Sequence, residues 1–399
     1  MQSLAKNWLI RGKCMTSRAS GTSIIAAGIL FVSSLAQAGD GDTPGWVNTL
    51  KNMGKVYSNE DNPVVQSVKI FGRVHGQWNY SDGDSAGESF NGSGEELRRL
   101  RAGASVSFLN GFKALGRANL EEGGWGDTEL GFDGWDELYL EYGKKDWLGF
   151  DSASIGYGRY KVLFGGEEHQ SSKRIKTIER SAINNRFGSR RPTGVVMNAE
   201  RDGVEYILGV WSREPASKGW AGWDEGVAVQ ASAAFEALDG EWILDFIYAD
   251  DADSDDTVFD YDWAGSVTYN RDFGRVNLMT NVTFSQAGDV DPLGIVVLPT
   301  YEIVPDKLEA AFRYQWAHSS ADTGVPRSSS SRGIRRVARK EGVPTGSGDN
   351  YHAVYAGLNY YIAGDNVKLM TGLEYESISG DSETELDGLT FWLAFRFYF

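Results

Sequence analysis

With 399 residues, 49 Gly, only 9 Pro and 13% aromatic side chains, the chain has the composition of a large antiparallel sheet, and its formal net charge of −16 argues against a nucleic-acid partner. The single cysteine, Cys14, excludes a disulfide framework and a thiolate metal centre. Beyond the first 38 residues, no stretch offers the ~18 uncharged apolar residues of a membrane-spanning helix.

Residues 1–38 read as a secretory signal peptide. Lys6, Arg11, Lys13 and Arg18 precede the apolar run Ile24 to Val32, and Ala36-Gln37-Ala38 ends it with a small-x-small cleavage pattern. Cleavage there would remove four cations, no acids and the cysteine, taking the net charge from −16 to −20. An exported chain without helical spans is periplasmic, secreted, or an outer-membrane barrel. Residues 39–65 lack strand periodicity. Trp46, Val47, Leu50 and Met53 have helical spacing, which predicts a short N-terminal periplasmic helix or mobile segment.

From Gln66 to Tyr80 the pattern changes to a period of two, with Val68, Ile70, Val74, Trp78 and Tyr80 on one face and Lys69, Arg73, His75, Gln77 and Asn79 on the other. The same alternation recurs over Leu97 to Leu109, Phe112 to Glu121, Trp135 to Tyr142, Ala153 to Phe164, Thr193 to Ala199, Val204 to Arg213 and Val227 to Glu236. Trp242 to Tyr248, Trp263 to Asn270, Val276 to Ser285, Gly294 to Ile303 and Leu308 to His318 follow, then His352 to Ile362 and Val367 to Ile378. At the end Phe391, Leu393, Phe395, Phe397 and Phe399 alternate with Trp392, Ala394, Arg396 and Tyr398. A row of large apolar groups on one strand face would aggregate in water but suits hydrocarbon. Short turns such as Asn110-Gly111, Asp239-Gly240, Arg271 to Gly274, Pro305-Asp306 and Gly364-Asp365 alternate with the long polar loops Ser81 to Glu96, Asp250 to Asp260 and Ser319 to Asn350. The count is 16 strands, even as a closed single-chain barrel requires. The expected fold is an all-β, 16-stranded antiparallel transmembrane β-barrel over residues 66–399, with its third long loop folded inward.

That third loop carries the anomaly of the chain. Between Arg159 and Arg191 nine Lys and Arg face only Glu167, Glu168 and Glu179, a local balance of +6 in an acidic protein. Arg159 and Lys161 are expected to share the inner face of their strand, with Tyr160 and Val162 outside.

Several stretches resemble the phosphate-selective porin O and P family. Arg159-Tyr-Lys161-Val-Leu-Phe164 followed by Ile178-Glu179-Arg180-Ser181 is similar to that family's strand exit and inward loop, and Leu97-Arg98-Arg99-Leu100-Arg101 to its arginine-rich second strand. Leu298-Pro-Thr-Tyr301, Pro305-Asp-Lys-Leu-Glu309, Arg313-Tyr-Gln-Trp316, Gly357-Leu-Asn-Tyr360 and the Phe399 terminus resemble its later strands. The resemblance implies a trimeric outer-membrane porin in which Arg98, Arg99, Arg101, Lys161 and Arg180 guide phosphate or related small anions.

Guanidinium suits that task because its rigid donor fork matches phosphate and stays charged. For Arg98, Arg99 and Arg101 the competing reading is a structural ion pair with Glu137, Glu141 or Glu309. Lys173, Arg174, Lys176, Arg180 and Arg186 are read as a cationic ring over the throat. Alternatively, they hold the loop to the wall or touch lipopolysaccharide phosphates. A second basic run, Arg327, Arg332, Arg335, Arg336, Arg339 and Lys340, is either a vestibule funnel or an exposed loop. The acidic runs Asp82, Asp84, Glu88, Glu95, Glu96 and Asp250, Asp251, Asp253, Asp255, Asp256, Asp260 are read as solvated surface facing lipopolysaccharide. The terminal strand ending in Phe399 resembles the signal read by the barrel-assembly machinery. His75, His169, His318 and His352 fit no metal or nucleophile spacing, so no enzyme and no cofactor is expected. A general or cation-preferring porin, and a plugged structural or adhesive barrel, are the other functions weighed.

Overall fold

The computed structural model describes residues 45–122, 129–188, 190–216, 218–249, 258–321, 325, 333–380 and 385–399. The expected signal peptide lies outside them. The chain divides into two compact units, residues 1–48 and 49–399. Helix α1 (Gly45–Asn52) matches the helical spacing of Trp46 to Met53.

After the short β1 (Lys55–Ser58) come β2 (Val65–Ser85), β3 (Glu88–Phe108), β4 (Phe112–Glu122), β5 (Glu129–Trp147) and β6 (Phe150–Arg159). A loop with the short helices α2 (Gly166–His169) and α3 (Ala182–Phe187) leads to β7 (Thr193–Arg201), β8 (Val204–Ser212), β9 (Val227–Ala237) and β10 (Gly240–Ala249). Next are β11 (Trp263–Phe273), β12 (Val276–Gln286), β13 (Leu293–Val304) and β14 (Leu308–His318). Helix α4 (Ile334–Glu341) precedes β15 (Asn350–Tyr361), β16 (Val367–Ser379) and β17 (Leu386–Tyr398).

From β2 to β17 each strand pairs antiparallel with its neighbour in sequence, and β17 pairs β2 from Leu386↔Ser85 to Tyr398↔Arg73. This closes a 16-stranded barrel in which each of these strands has a hydrogen-bonded partner on both sides. β1 adds to β2 through Tyr57↔Val68 and Ser58↔Ser67, beyond the point where β17 ends. The period of two survives as an inside and an outside. On β17, Leu389 and Phe395 are exposed while the residues that follow each of them, Thr390 and Arg396, are buried. Exposed Leu208, Val210, Phe246, Tyr248, Phe312 and Tyr375 continue the outer apolar face around the wall.

Several strands run longer than expected, β5 among them, and two differences bear on the site. Ser81 to Glu96 is a strand extension: β2 and β3 continue in register to a two-residue turn at Ala86 (φ 52) and Gly87 (φ 79), the positive pair that suits a hairpin. The other is β6, which ends at Arg159 instead of Phe164. Past it the chain turns away from the wall, and its two arms bond to each other through Tyr160 N to Pro192 O and Val162 N to Arg190 O. Tyr160 therefore does not face lipid. Its ring stacks on Tyr139 at 4.2 Å, and Val162 and Phe164 are buried in one cluster with Ile183, Phe187 and Tyr261. Above Leu138, where β6 has left β5, the loop between β8 and β9 lies against the free edge: Trp135 N donates to Lys218 O and Trp220 Nε1 to Leu138 O, each at 3.1 Å.

Candidate functional site

The loop between β6 and β7 is held against one side of the barrel by cations that the wall buries. Arg313 on β14, 1% exposed, donates to Glu167 at 3.1 Å, Glu374 at 2.9 Å, Thr177 Oγ1 at 2.9 Å and the Glu179 carbonyl at 2.8 Å. Arg396 on β17 donates to Ile178 O at 2.8 Å, and Lys368 on β16 to Ile175 O at 2.9 Å. Lys176 reaches back to Glu309 on β14 at 2.7 Å. On the far side Asp245 of β10 accepts from Gly165 N at 2.9 Å and lies 2.8 Å from His169 Nε2. Within the loop Ser181 caps α3 by accepting from Asn184 N at 3.0 Å. Irregular backbone inside a barrel must have its carbonyls satisfied, and these wall cations supply the donors.

Between the loop and the opposite wall lies a cavity of about 210 Å³. Arg73 of β2, Arg99 and Arg101 of β3 and Arg117 of β4 line one side, and Lys161, Arg180 and Arg191 of the loop line the other. Three carboxylates offset them. Asp136 takes Arg101 at 3.0 Å, Arg117 at 2.6 Å and Arg191 at 3.1 Å. Glu137 pairs with Arg117, while Glu168 takes Lys161 at 2.6 Å and Arg180 at 3.3 Å. Seven cations against three carboxylates leave the cavity at +4.

That surplus has an address. Among the described residues, neither Arg73 nor Arg99 has a carboxylate: Arg73 bonds the Ser172 hydroxyl, and Arg99 approaches only His75 Nδ1 at 3.4 Å. The Nε of each is buried without a partner. A β-bulge sets up this step, because His75 pairs Arg99 while Gly76 pairs Leu97, leaving Arg98 as the extra residue. Arg98 turns onto Glu179 at 2.8 Å, and Arg99 is left for the cavity. In the loop, burial pushes the Lys161 ammonium down to about 7, against the pull of Glu168 and with the help of Arg180. Burial would raise the Glu168 carboxyl, but Arg180 and Lys161 hold it well below the usual carboxylate range. Lys173, its Nζ 4.2 Å over the Tyr398 ring, is pushed down to about 8 by burial and by Arg73.

A second, wider cavity of about 1160 Å³ shares Leu163, His169 and Ser171 with the first. Its lining is close to neutral, with five Lys and Arg against six Asp and Glu, among them Arg174 and Lys176. A solute passing between the two would meet a change from balanced to strongly positive surroundings.

Of the ten sites expected from sequence, Arg99, Arg101, Lys161 and Arg180 meet at the small cavity, and Arg174 and Lys176 line the wide one. The other four do not line either cavity. Arg98 is spent on Glu179, and Lys173 lies on Tyr398. Arg186 pairs with Asp260, and Arg159 donates to the carbonyls of Ala216 at 2.9 Å and Gly219 at 2.8 Å. Sequence reasoning missed Arg73, Arg117 and Arg191 as lining residues, and Asp136 as their hub. The available signal was the inward face of β2, where Arg73 shares its side with His75 and Gln77. Of the second basic run, Arg335, Arg336, Arg339 and Lys340 lie on α4, while Arg327 and Arg332 fall outside the described residues. So do Asp250, Asp251, Asp253, Asp255 and Asp256.

Residues 68–242 match the family described as phosphate-selective porin O and P. Together with the closed 16-stranded barrel, that match supports an outer-membrane channel of the porin type. Its localisation is the bacterial outer membrane. Similar solved structures include the outer-membrane channel DcaP of Acinetobacter baumannii, 15% identical, covering 86% of this chain and 100% of that one with a TM-score of 0.54. An anion-selective porin from Comamonas acidovorans is 13% identical, with coverage of 83% and 99% and a TM-score of 0.54. Pseudomonas putida OprB is 12% identical, with coverage of 90% and 97% and a TM-score of 0.56. At such identities the likeness concerns the fold. No curated protein matches the porin significantly.

Proposed function

We propose that this porin is an anion-selective diffusion channel for phosphate-sized oxyanions, acting as a homotrimer. The observation that carries the reading is the +4 cavity in which Arg73 and Arg99 lack carboxylate partners. At ~4 Å and an effective dielectric of ~20, one cation–anion contact is worth roughly 4 kcal/mol. Conduction needs several such contacts shared among weak sites. The cavity meets that need, because five of its seven cations are already partly neutralised by Asp136, Glu137 and Glu168. Supporting context comes from the similarity to phosphate-selective porins, from the likeness in fold to an anion-selective porin of Comamonas acidovorans, and from a trimer form of Vibrio cholerae OmpT among the similar structures.

Reconstitution in a planar bilayer tests the proposal. In a KCl gradient the reversal potential is expected on the anion side, and added phosphate is expected to reduce chloride current. Cation preference would reassign the protein as a general or cation-preferring porin. Absence of conductance would leave a plugged structural barrel, and chloride current indifferent to millimolar phosphate would remove phosphate from the assignment. Crosslinking in outer-membrane detergent extracts is expected to give a three-copy species, and a single-copy species alone would refute the assembly.

A further inference from the structure

The small and wide cavities meet at three shared side chains, Leu163, His169 and Ser171. Of these only the imidazole changes its charge in the neutral pH range. His169 ends α2 on the inward loop, at the step where a solute leaves balanced surroundings for positive ones. Neither it nor its partner Asp245 enters the +4 balance, and the channel reading makes no use of either.

The far wall fixes the ring. Asp245 of β10 is buried; one carboxylate oxygen accepts from Gly165 N at 2.9 Å, and the other lies 2.8 Å from His169 Nε2. A carboxylate oxygen accepts and does not donate, so Nε2 carries a hydrogen whether the ring is neutral or charged. The proton that comes and goes therefore belongs to Nδ1. Among the described residues that atom has no hydrogen-bond partner, and it is not sealed from solvent. Neutral, it presents a lone pair; protonated, it offers an N–H and a positive charge.

The charged neighbours are directed elsewhere. Glu167 of the same helix takes Arg313 and Ser181 N, and Glu168 takes Lys161 and Arg180. Arg186 of α3 is turned onto Asp260, and β11 and β12 meet Gly166 of α2 through the uncharged Thr268 and Met279. The loop cations that share a lining with the ring are Lys161, Arg180 and Arg191 in the small cavity and Arg174 and Lys176 in the wide one.

We propose that His169 is a proton-operated selectivity contact: with Asp245 holding its Nε2–H, a protonated Nδ1 donates to an anion crossing between the cavities, and the neutral ring withholds that donor. The inference rests on the anion-channel reading and adds a regulation to it.

The test uses the full-length barrel in planar bilayers, with inorganic phosphate as blocker of chloride current and the reversal potential read in KCl. His169→Gln keeps an N–H donor for Asp245 and loses the titrating nitrogen. At about pH 5.5 it should need at least about tenfold more phosphate than wild type for half block, the low end for a charge-assisted hydrogen bond, and at about pH 8 the two should coincide. Comparing the two proteins at one pH cancels the titration of phosphate itself and of Lys161 and Lys173. His169→Arg, charged throughout, should hold the acid-type block at the alkaline end. His352→Gln removes an exposed histidine that lines neither cavity and should follow wild type at every pH. A wild-type-to-His169→Gln ratio that stays constant with pH would make His169 a tether alone and overturn the proposal, and so would the same pH-dependent loss in His352→Gln. Should His169→Gln fail to assemble, His169→Arg decides alone, and an alkaline block as weak as that of wild type overturns the proposal. Phosphate block with a constant ratio removes this contact and leaves the channel reading standing, whereas wild type with neither block nor anion preference removes both.

Discussion

Arg99→Gln separates a cavity that binds anions from one that is merely basic. Among the described residues, the side chain is one of seven lining cations and one of two without a carboxylate, and its polar contact is His75 at 3.4 Å. Removing it costs the resting barrel little. A bound oxyanion loses a charge-assisted hydrogen bond, a contribution of about 1.5–3 kcal/mol, which corresponds to a roughly 10- to 150-fold weaker phosphate block. Arg99→Lys keeps the charge and loses the fork, so an intermediate loss is expected. Arg186→Gln is the matched control, because Arg186 is paired with Asp260 and lines neither cavity. Phosphate titration of chloride current, in parallel with reversal potentials, measures all three. Equal losses in Arg99→Gln and Arg186→Gln, or an unchanged block in Arg99→Gln, would refute the assignment of the free guanidinium as the anion contact.

Three other outcomes follow from the same geometry. Lysine carries its charge below its pKa and loses it above, so Lys161 at about 7 and Lys173 at about 8 make anion preference strongest at low pH. The permeability ratio is expected to decline between about pH 6 and about pH 9, and a flat profile would contradict a role for these two lysines. Arg313→Ala leaves Glu167 and Glu374 buried without their cation, at a cost of about 3–5 kcal/mol. The temperature at which the folded barrel loses its compact gel mobility should drop, and an unchanged temperature would show the clamp to be dispensable. Arg159→Ala releases the carbonyls of Ala216 and Gly219, so trypsin is expected to cut faster at Lys218 while the reversal potential stays put. A shifted reversal potential would return Arg159 to the ion path.

The barrel was legible because lipid and lumen impose a period of two on every strand, and all sixteen strands fall where that period runs. Its limits were set by what cancels the period. β2 and β3 continue through Ser81 to Glu96 with polar residues on both faces, so the extension looked like a loop. After Arg159 the chain leaves the sheet, and continuing the alternation put Tyr160 and Val162 on the wrong side. The site was harder to read. Loop cations announce a charge, but apart from Glu168 within the loop the acids that neutralise them come from distant parts of the chain: Asp136 on β5, Glu309 on β14, and Asp260 before β11. Only the fold tells a spent guanidinium such as Arg98 from a free one such as Arg99, although the two are adjacent in sequence. Arg73 and Arg117 gave no alarm, since a single cation on an inward strand face is ordinary.

Cations thus serve two separate ends in this barrel. Those of β14, β16 and β17 end on loop carbonyls and are needed for the loop to stand at all, whereas those of β2 to β4 face a space that an ion can enter. Substitution on the first set acts on foldedness. In the second, Arg101 and Arg117 also compensate the buried Asp136, so positions 73 and 99 are the ones where a change acts on the choice of solute while the loop that frames them remains in place. Charge reversal confined to Arg73 and Arg99 should shift the reversal potential toward the cation side without rebuilding the wall.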